Sequence, residues 1–157
     1  MTDRRRQVNV YGGSRRGSKD ATSERRTMDS RADCIELSLP SDSRYIRLAR
    51  LMASGVATTC GLPLEEVEDF RIAVDELCAT LIEMGDGEPV HLSFEVGPDA
   101  VIVRATTSSR RDVTIDEARL TLSRQILDVV TDGHALRHRA GHIELTARKA
   151  VRGGGVG

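Results

Sequence analysis

Glu76 and Thr80 stand one helical turn apart within LEEVEDFRIAVDELCATLIEM, residues 64 to 84, so their side chains are neighbours. A carboxylate and a hydroxyl so placed can position a water, a metal ion or a substrate hydroxyl. Glu65, Asp69 and Glu83 share the same narrow sector, and charges at that spacing are more ordinarily a solvated helix face. His134, His138 and His142 recur every fourth residue. Their repeat crosses a turn, and no Cys or carboxylate completes a tetrahedral set, so surface strand histidines are expected and no metal site. Cys34, Cys60 and Cys78 are odd in number and far apart, which fits free thiols in a reducing compartment. Cys78, at the edge of an apolar stripe, reads as a small buried hydrophobe.

These groups need a scaffold, and the periodicity supplies one. Val67, Phe70, Val74, Leu77, Leu81 and Met84 form the inner stripe of the helix that carries Glu76. Pro63 suits its first turn, and Gly85-Asp86-Gly87 stops it. Ahead of it, Cys34 to Leu39 alternates as a half-buried strand, and Pro40-Ser41-Asp42-Ser43 offers a turn and N-cap. A helix from Tyr45 to about Cys60 follows, with Arg44, Arg47 and Arg50 along its side. The short link Gly61-Leu62-Pro63 makes the two helices packing neighbours.

After Gly87 the period becomes two. Val90 to Val96 and Val101 to Ala105 predict a hairpin about Gly97-Pro98-Asp99. Thr106 to Asp112 then reads as a polar loop. Ile115 to Val130 reads as a helix whose stripe is Ile115, Ala118, Leu122, Ile126, Val129 and Val130. A final hairpin, His134 to His138 and His142 to Arg148, turns at Ala140-Gly141.

The chain has 157 residues, 39% of them hydrophobic, without Trp and with only two Tyr and two Phe, so aliphatic side chains must fill one core. No apolar run approaches a membrane span and no signal-peptide segment follows the start, which predicts a soluble, cytoplasmic protein. Charge is unevenly divided. Residues 1–31 hold nine basic and four acidic residues, a balance of +5, and the rest of the chain balances to −6. With few aliphatics, residues 1–31 are expected to be a disordered basic tail. YGGSRRGS within it is no phosphate loop without a strand before and a helix after. Its arginines suit phosphates, but no base-reading pattern accompanies them, so direct nucleic-acid binding is not expected. Residues 32–150 make the folded domain, and 151–157 a flexible Gly-rich tail.

Taken together, LPSDSRYIRLARLMASGVATTCGLPLEEVEDFRIAVDELCATLIE resembles the first half of anti-sigma factors of the RsbW type. These are serine-kinase-like members of the GHKL (Bergerat-fold) ATPase superfamily, and the likeness is greatest to actinobacterial anti-sigma-F-type proteins. The resemblance covers about residues 34–149. It implies an α+β two-layer sandwich with helices on one face of a mixed or antiparallel sheet. It places Glu76 where the family has a general base that takes a proton from a partner's serine. Thr80 stands where an asparagine holds Mg²⁺. The family's Asp-x-Gly-x-Gly becomes Thr106-Thr107-Ser108-Ser109-Arg110, and TIDEARLTLSRQILDVV contains none of the glycines of its phosphate loop.

Phosphoryl transfer depends on a placed metal and cradled phosphates. The expectation is therefore a binding protein that has lost all or most kinase activity and takes no cofactor, with Mg-ATP the ligand if the pocket survives. The implied partners are an alternative sigma factor of the sigma-F or sigma-B type and a STAS-domain anti-anti-sigma factor that releases it, around a homodimer. Arg50 matches the family's partner-contacting arginine, and Arg47 and Arg44 flank it. The alternatives are an active serine kinase acting on the STAS protein with Mg-ATP, and a ligand-binding regulatory module whose tail touches nucleic acid.

Overall fold

Helix α2 spans Leu64–Met84, and its predicted stripe is its buried face: Val67, Phe70, Val74, Leu77, Leu81 and Met84 all lie in the core. Phe70 meets Phe94 edge-on, ring centroids 6.2 Å apart, an arrangement that aromatic quadrupoles favour. The computed structural model describes residues 32–109 and 116–152. The tail expected over 1–31 and the glycines near the C-terminus lie outside the described residues. Val151 is described, packs partly against the core, and donates its N–H to Asp99 O at 2.8 Å.

In chain order the elements are β1 (Asp33–Leu39), a 3-10 turn (Ser43–Tyr45), α1 (Ile46–Thr59), α2, β2 (Val90–Val96), β3 (Ala100–Ser108), α3 (Glu117–Val130), β4 (Gly133–Arg139) and β5 (His142–Ala150). The strands form one sheet in the order β1-β2-β3-β5-β4, and each neighbouring pair is antiparallel. Of the two sheet types left open by the sequence, the antiparallel one is realised.

The three helices cover one face. Phe94, Val103 and Ala147 face each other across β2, β3 and β5, as do Leu92, Ala105 and Leu145, and all six are buried. The other face is polar, with Glu36, Ser93, Arg104 and Thr146 in one row. This is the half-solvated pattern of an antiparallel sheet. As an edge strand, β1 is more exposed than the expected half-burial, and only Leu39 is fully covered.

The α1–α2 link is short because it is well capped. Gly61 takes φ +76°, Leu62 N donates to Ala57 O and Gly61 N to Thr58 O, the Schellman closure that satisfies the last carbonyls of a helix. Two sequence expectations are corrected downstream. The first is that Thr106 to Ser108 continue β3 rather than open a loop. Thr107 points inward with its hydroxyl donating to Glu88 O and Pro89 O, which lets a polar side chain remain in the strand's buried row. The remainder of that loop, and Ile115, fall outside the described residues.

The second concerns α3. Its buried face is Leu120, Ser123, Leu127 and Val130, while Leu122 and Val129 are 53% and 82% exposed. Of the stripe read as inward, Val130 is buried and Ile126 packs partly against the core, whereas Ala118, Leu122 and Val129 face solvent. Ser123 goes inward because it finds a hydroxyl partner on α2.

Candidate functional site

Glu76 and Thr80 sit where α2 meets α3, and they are not on a solvated face. Thr80 is 1% exposed, its hydroxyl 3.2 Å from Ser123 Oγ and 3.4 Å from Glu76 Oε1. Thr80 has one hydroxyl hydrogen, so if it donates to Glu76 then Ser123 donates to Thr80. Glu76 Oε1 also accepts from Arg119 Nη1 at 2.6 Å, and Arg119 Nε donates to Glu83 Oε2 at 2.9 Å. One guanidinium from the first turn of α3 thus bridges two carboxylates on α2. The side chains of Arg119 and Glu76 are 25% and 13% exposed. The Glu76 hydrogen bond, with the charges of Glu76 and Glu83, holds Arg119 more firmly protonated than usual, against the cost of its burial.

The surroundings are equally self-satisfied. Asp116 caps α3 with its own carboxylate, which accepts from Ala118 N at 3.0 Å and Arg119 N at 3.4 Å. A phosphate at a helix N-terminus would need those same amides. Thr107, in the segment where the resemblance expects an adenine-reading aspartate, gives its hydroxyl to the backbone. Gly85, at the end of α2, has no room for a side chain: an added Cβ would lie 2.9 Å from Leu81 O and 3.3 Å from Thr107. The donor set present does not fit a Mg-nucleotide. Its carboxylate is ion-paired, its hydroxyl is buried against α3, and the helix amides are capped internally.

The arginines form a second cluster on α1. Arg50 makes a bidentate pair with Asp75 on α2, Nε to Oδ1 at 2.7 Å and Nη2 to Oδ2 at 2.6 Å, and this pairing raises the pKa of Arg50. Arg44 forks onto Asp42, which caps the 3-10 turn, and lies 6.0 Å from the Tyr45 ring centroid. The Arg44 hydrogen bonds hold the Asp42 carboxyl below its ordinary range. Arg47 is exposed. Arg47, Arg50, Leu51 and Ser54 line a shallow groove of about 380 Å³ with Arg71 of α2. The structure therefore brings Arg47 and Arg50 together and leaves Arg44 to Asp42.

Arg119, Ser123, Asp75 and Lys149 were missed in sequence. Lys149, 5% exposed on β5, reaches Glu66 and Asp69 on α2 and donates to Val130 O at 3.1 Å. Burial, aided by Arg152, lowers its pKa, and burial with Glu65 and Asp132 raises that of Asp69, so desolvation outweighs the pairing for both. Arg119 and Glu76 are 43 residues apart, and no local spacing announces such a pair. The three histidines do not converge. His134 shares the helix side with Ala147 and binds Asp128 at 2.8 Å, whereas His142 lies opposite Arg139 and Ser108 on the open face. Among the described residues no three potential metal ligands cluster, and no helix is long and apolar enough to cross a membrane.

Comparison with known proteins agrees with this architecture. The family model described as histidine kinase-like ATPase domain matches residues 39–128. The serine-protein kinase RsbW of Bacillus subtilis (strain 168) is 39% identical over 56 residues, 36% of this chain and 35% of its own length. RsbW of Halalkalibacterium halodurans is 30% identical over 76 residues, 47% of each chain. The chain thus aligns with between about a third and a half of the length of these relatives.

Proposed function

We propose that this chain, which belongs to the histidine kinase-like ATPase family, works as a binding regulator: an anti-sigma factor that sequesters an alternative RNA polymerase sigma factor. A STAS-domain anti-anti-sigma protein competes for the same surface and releases it, and phosphate transfer plays little or no part. The observation that carries this reading is the Arg119 bridge over Glu76 and Glu83. A general base must be free to take a proton from the hydroxyl it activates, and here that carboxylate is already neutralised and hydrogen-bonded. The partner surface is the groove of Arg47 and Arg50, whose planar donors suit carboxylates on a partner. Because Arg50 is held by Asp75, Arg47 is the cation that meets the partner first.

The test is calorimetric titration of the purified protein with the sigma factors of its source organism. Binding of one of them, weakened by Arg47→Glu and Arg50→Glu and reversed by a STAS-domain protein, is the expected result. The names of the relatives, serine-protein kinases, favour a second reading, in which Glu76 is the base of a Mg-ATP-dependent serine kinase. Phosphate transfer from ATP to the STAS protein that vanishes in Glu76→Ala would put that reading first.

A further inference from the structure

Three guanidiniums line the α1 groove, those of Arg47, Arg50 and Arg71. Two of them are held by carboxylates of α2. Asp75 takes Nε and Nη2 of Arg50 at 2.7 and 2.6 Å, and Glu68 takes Nη1 of Arg71 at 2.5 Å. With three cations against these two anions, the groove has a balance of +1. The two pairs differ in kind. Arg71 and Glu68 are three residues apart on one helix, an ordinary local pair. Arg50 and Asp75 are 25 residues apart on two helices and meet as a planar fork on a carboxylate, a stronger and more specific geometry than a single contact. The pair stays open to solvent, its side chains 46% and 34% exposed.

A carboxylate that accepts from both Nε and Nη2 fills one edge of a guanidinium. A partner carboxylate then has two routes to Arg50. It takes that edge by displacing Asp75, or it binds the remaining N–H groups of a cation whose charge Asp75 balances. Asp75 opposes it on either route. Leu51, which is 70% exposed among these cations, offers apolar contact that Asp75 leaves untouched.

We infer that Asp75 is a built-in competitor for Arg50, a carboxylate of the chain itself that stands where an acidic side chain of the partner goes and lowers the affinity of the groove. The inference rests on the reading of this groove as the partner surface, and it adds the partner's chemistry: acidic side chains around an apolar anchor that meets Leu51. Neutralising Asp75 takes the groove from +1 to +2 and frees the occupied edge of Arg50. The gain in affinity expected from this is about threefold to fivefold, the upper range for an ion pair open to solvent.

The experiment uses the full chain and a fluorescent synthetic helix of about 18 residues, leucine on one face and glutamate on the other, read by anisotropy. A counterpart with lysine for glutamate serves as control. Wild type is expected to bind the glutamate helix and not the lysine one, and Asp75→Asn to bind the former about threefold to fivefold more tightly. Asp75→Glu, which restores the charge, should return the affinity to that of wild type. The gain should vanish in an Arg50→Gln background, because it runs through that guanidinium, and Glu117→Gln, which removes one charge from α3, should give none. Asp75→Ser repeats the test if Asp75→Asn loses helical circular dichroism. Affinity that is unchanged or weaker without the Asp75 carboxylate overturns the inference, since Asp75 then does no more than position Arg50. A gain that persists with Arg50→Gln overturns it as an effect of net charge alone, and so does failure of the glutamate helix to bind either wild type or Asp75→Asn. The sigma titration separates the two readings. A sigma factor that binds wild type, is lost with Arg47→Glu and gains nothing from Asp75→Asn keeps the anti-sigma reading and removes the competitor. The expected glutamate-helix results with no sigma factor bound keep the competitor and remove the anti-sigma reading.

Discussion

Arg119→Met removes the guanidinium that joins α3 to α2 while keeping an unbranched chain to fill its place. Glu76, 13% exposed, would retain one hydrogen-bond neighbour, Thr80 at 3.4 Å, and Glu83, 54% exposed, would turn to water. Exposed pairs contribute about 0–1 kcal/mol, and breaking a buried pair costs about 3–5 kcal/mol. The Arg119–Glu76 contact lies between these limits. Discounted for its quarter-exposed arginine, it should contribute about 1–2 kcal/mol, and the Glu83 contact no more than about 0.5 kcal/mol.

The assay is urea unfolding of wild type, Arg119→Met, Glu76→Gln and the double variant, from which the coupling energy follows. Glu83→Gln in the same series should show little coupling. A coupling below about 0.5 kcal/mol for Arg119 with Glu76 would refute the reasoning, because the Glu76 carboxylate would then be free in solution.

Three further outcomes follow from the geometry. Burial, with Asp75 adding to it, pushes the Cys78 thiol up to about 12 from 9.0. The unfolded thiol ionises first, so the folded state holds more protons between those values and stability falls as pH rises through them. By pH 10.5 wild type should have lost about 2 kcal/mol relative to Cys78→Ala, read from denaturation at pH 7.5 and 10.5. Lys149→Met, which keeps volume but frees Glu66 and Asp69 to partly exposed positions, should stay within about 1 kcal/mol of wild type in urea unfolding, and Lys149→Ala should lose about 2–3 kcal/mol. Gly141 has φ +84° and a would-be Cβ 3.2 Å from Ser109 O, so Gly141→Ala should cost about 1–2 kcal/mol, whereas Gly55→Ala, within α1 with nothing nearby, should gain about 0.5–1 kcal/mol in the same measurement.

The second helix was legible to the residue, because its apolar stripe, its proline and its terminal glycines all point to the same ends. Antiparallel hairpins were legible from period-two runs about Gly97 and Gly141. What period alone does not show is which apolar residues of α3 turn inward. Leu120 and Leu127 won because Ser123 between them meets Thr80, a contact made only in the folded chain. Glu76 and Thr80 were recognisable as candidates, but their state was not. It depends on Arg119 and Ser123, which approach from 43 residues away. The same holds for Arg50, legible as a cation, whose partner Asp75 sits 25 residues on.

The central claim is that the α2–α3 cleft is closed to nucleotide and that function runs through protein binding. Isothermal titration of the full chain with Mg-ATP and Mg-ADP, followed by titration of the same solution with the sigma factors, tests it most directly. The account predicts no nucleotide heat and tight binding of one sigma factor that is indifferent to nucleotide. Saturable Mg-ATP binding by the wild-type protein, abolished by Glu76→Ala, would contradict it.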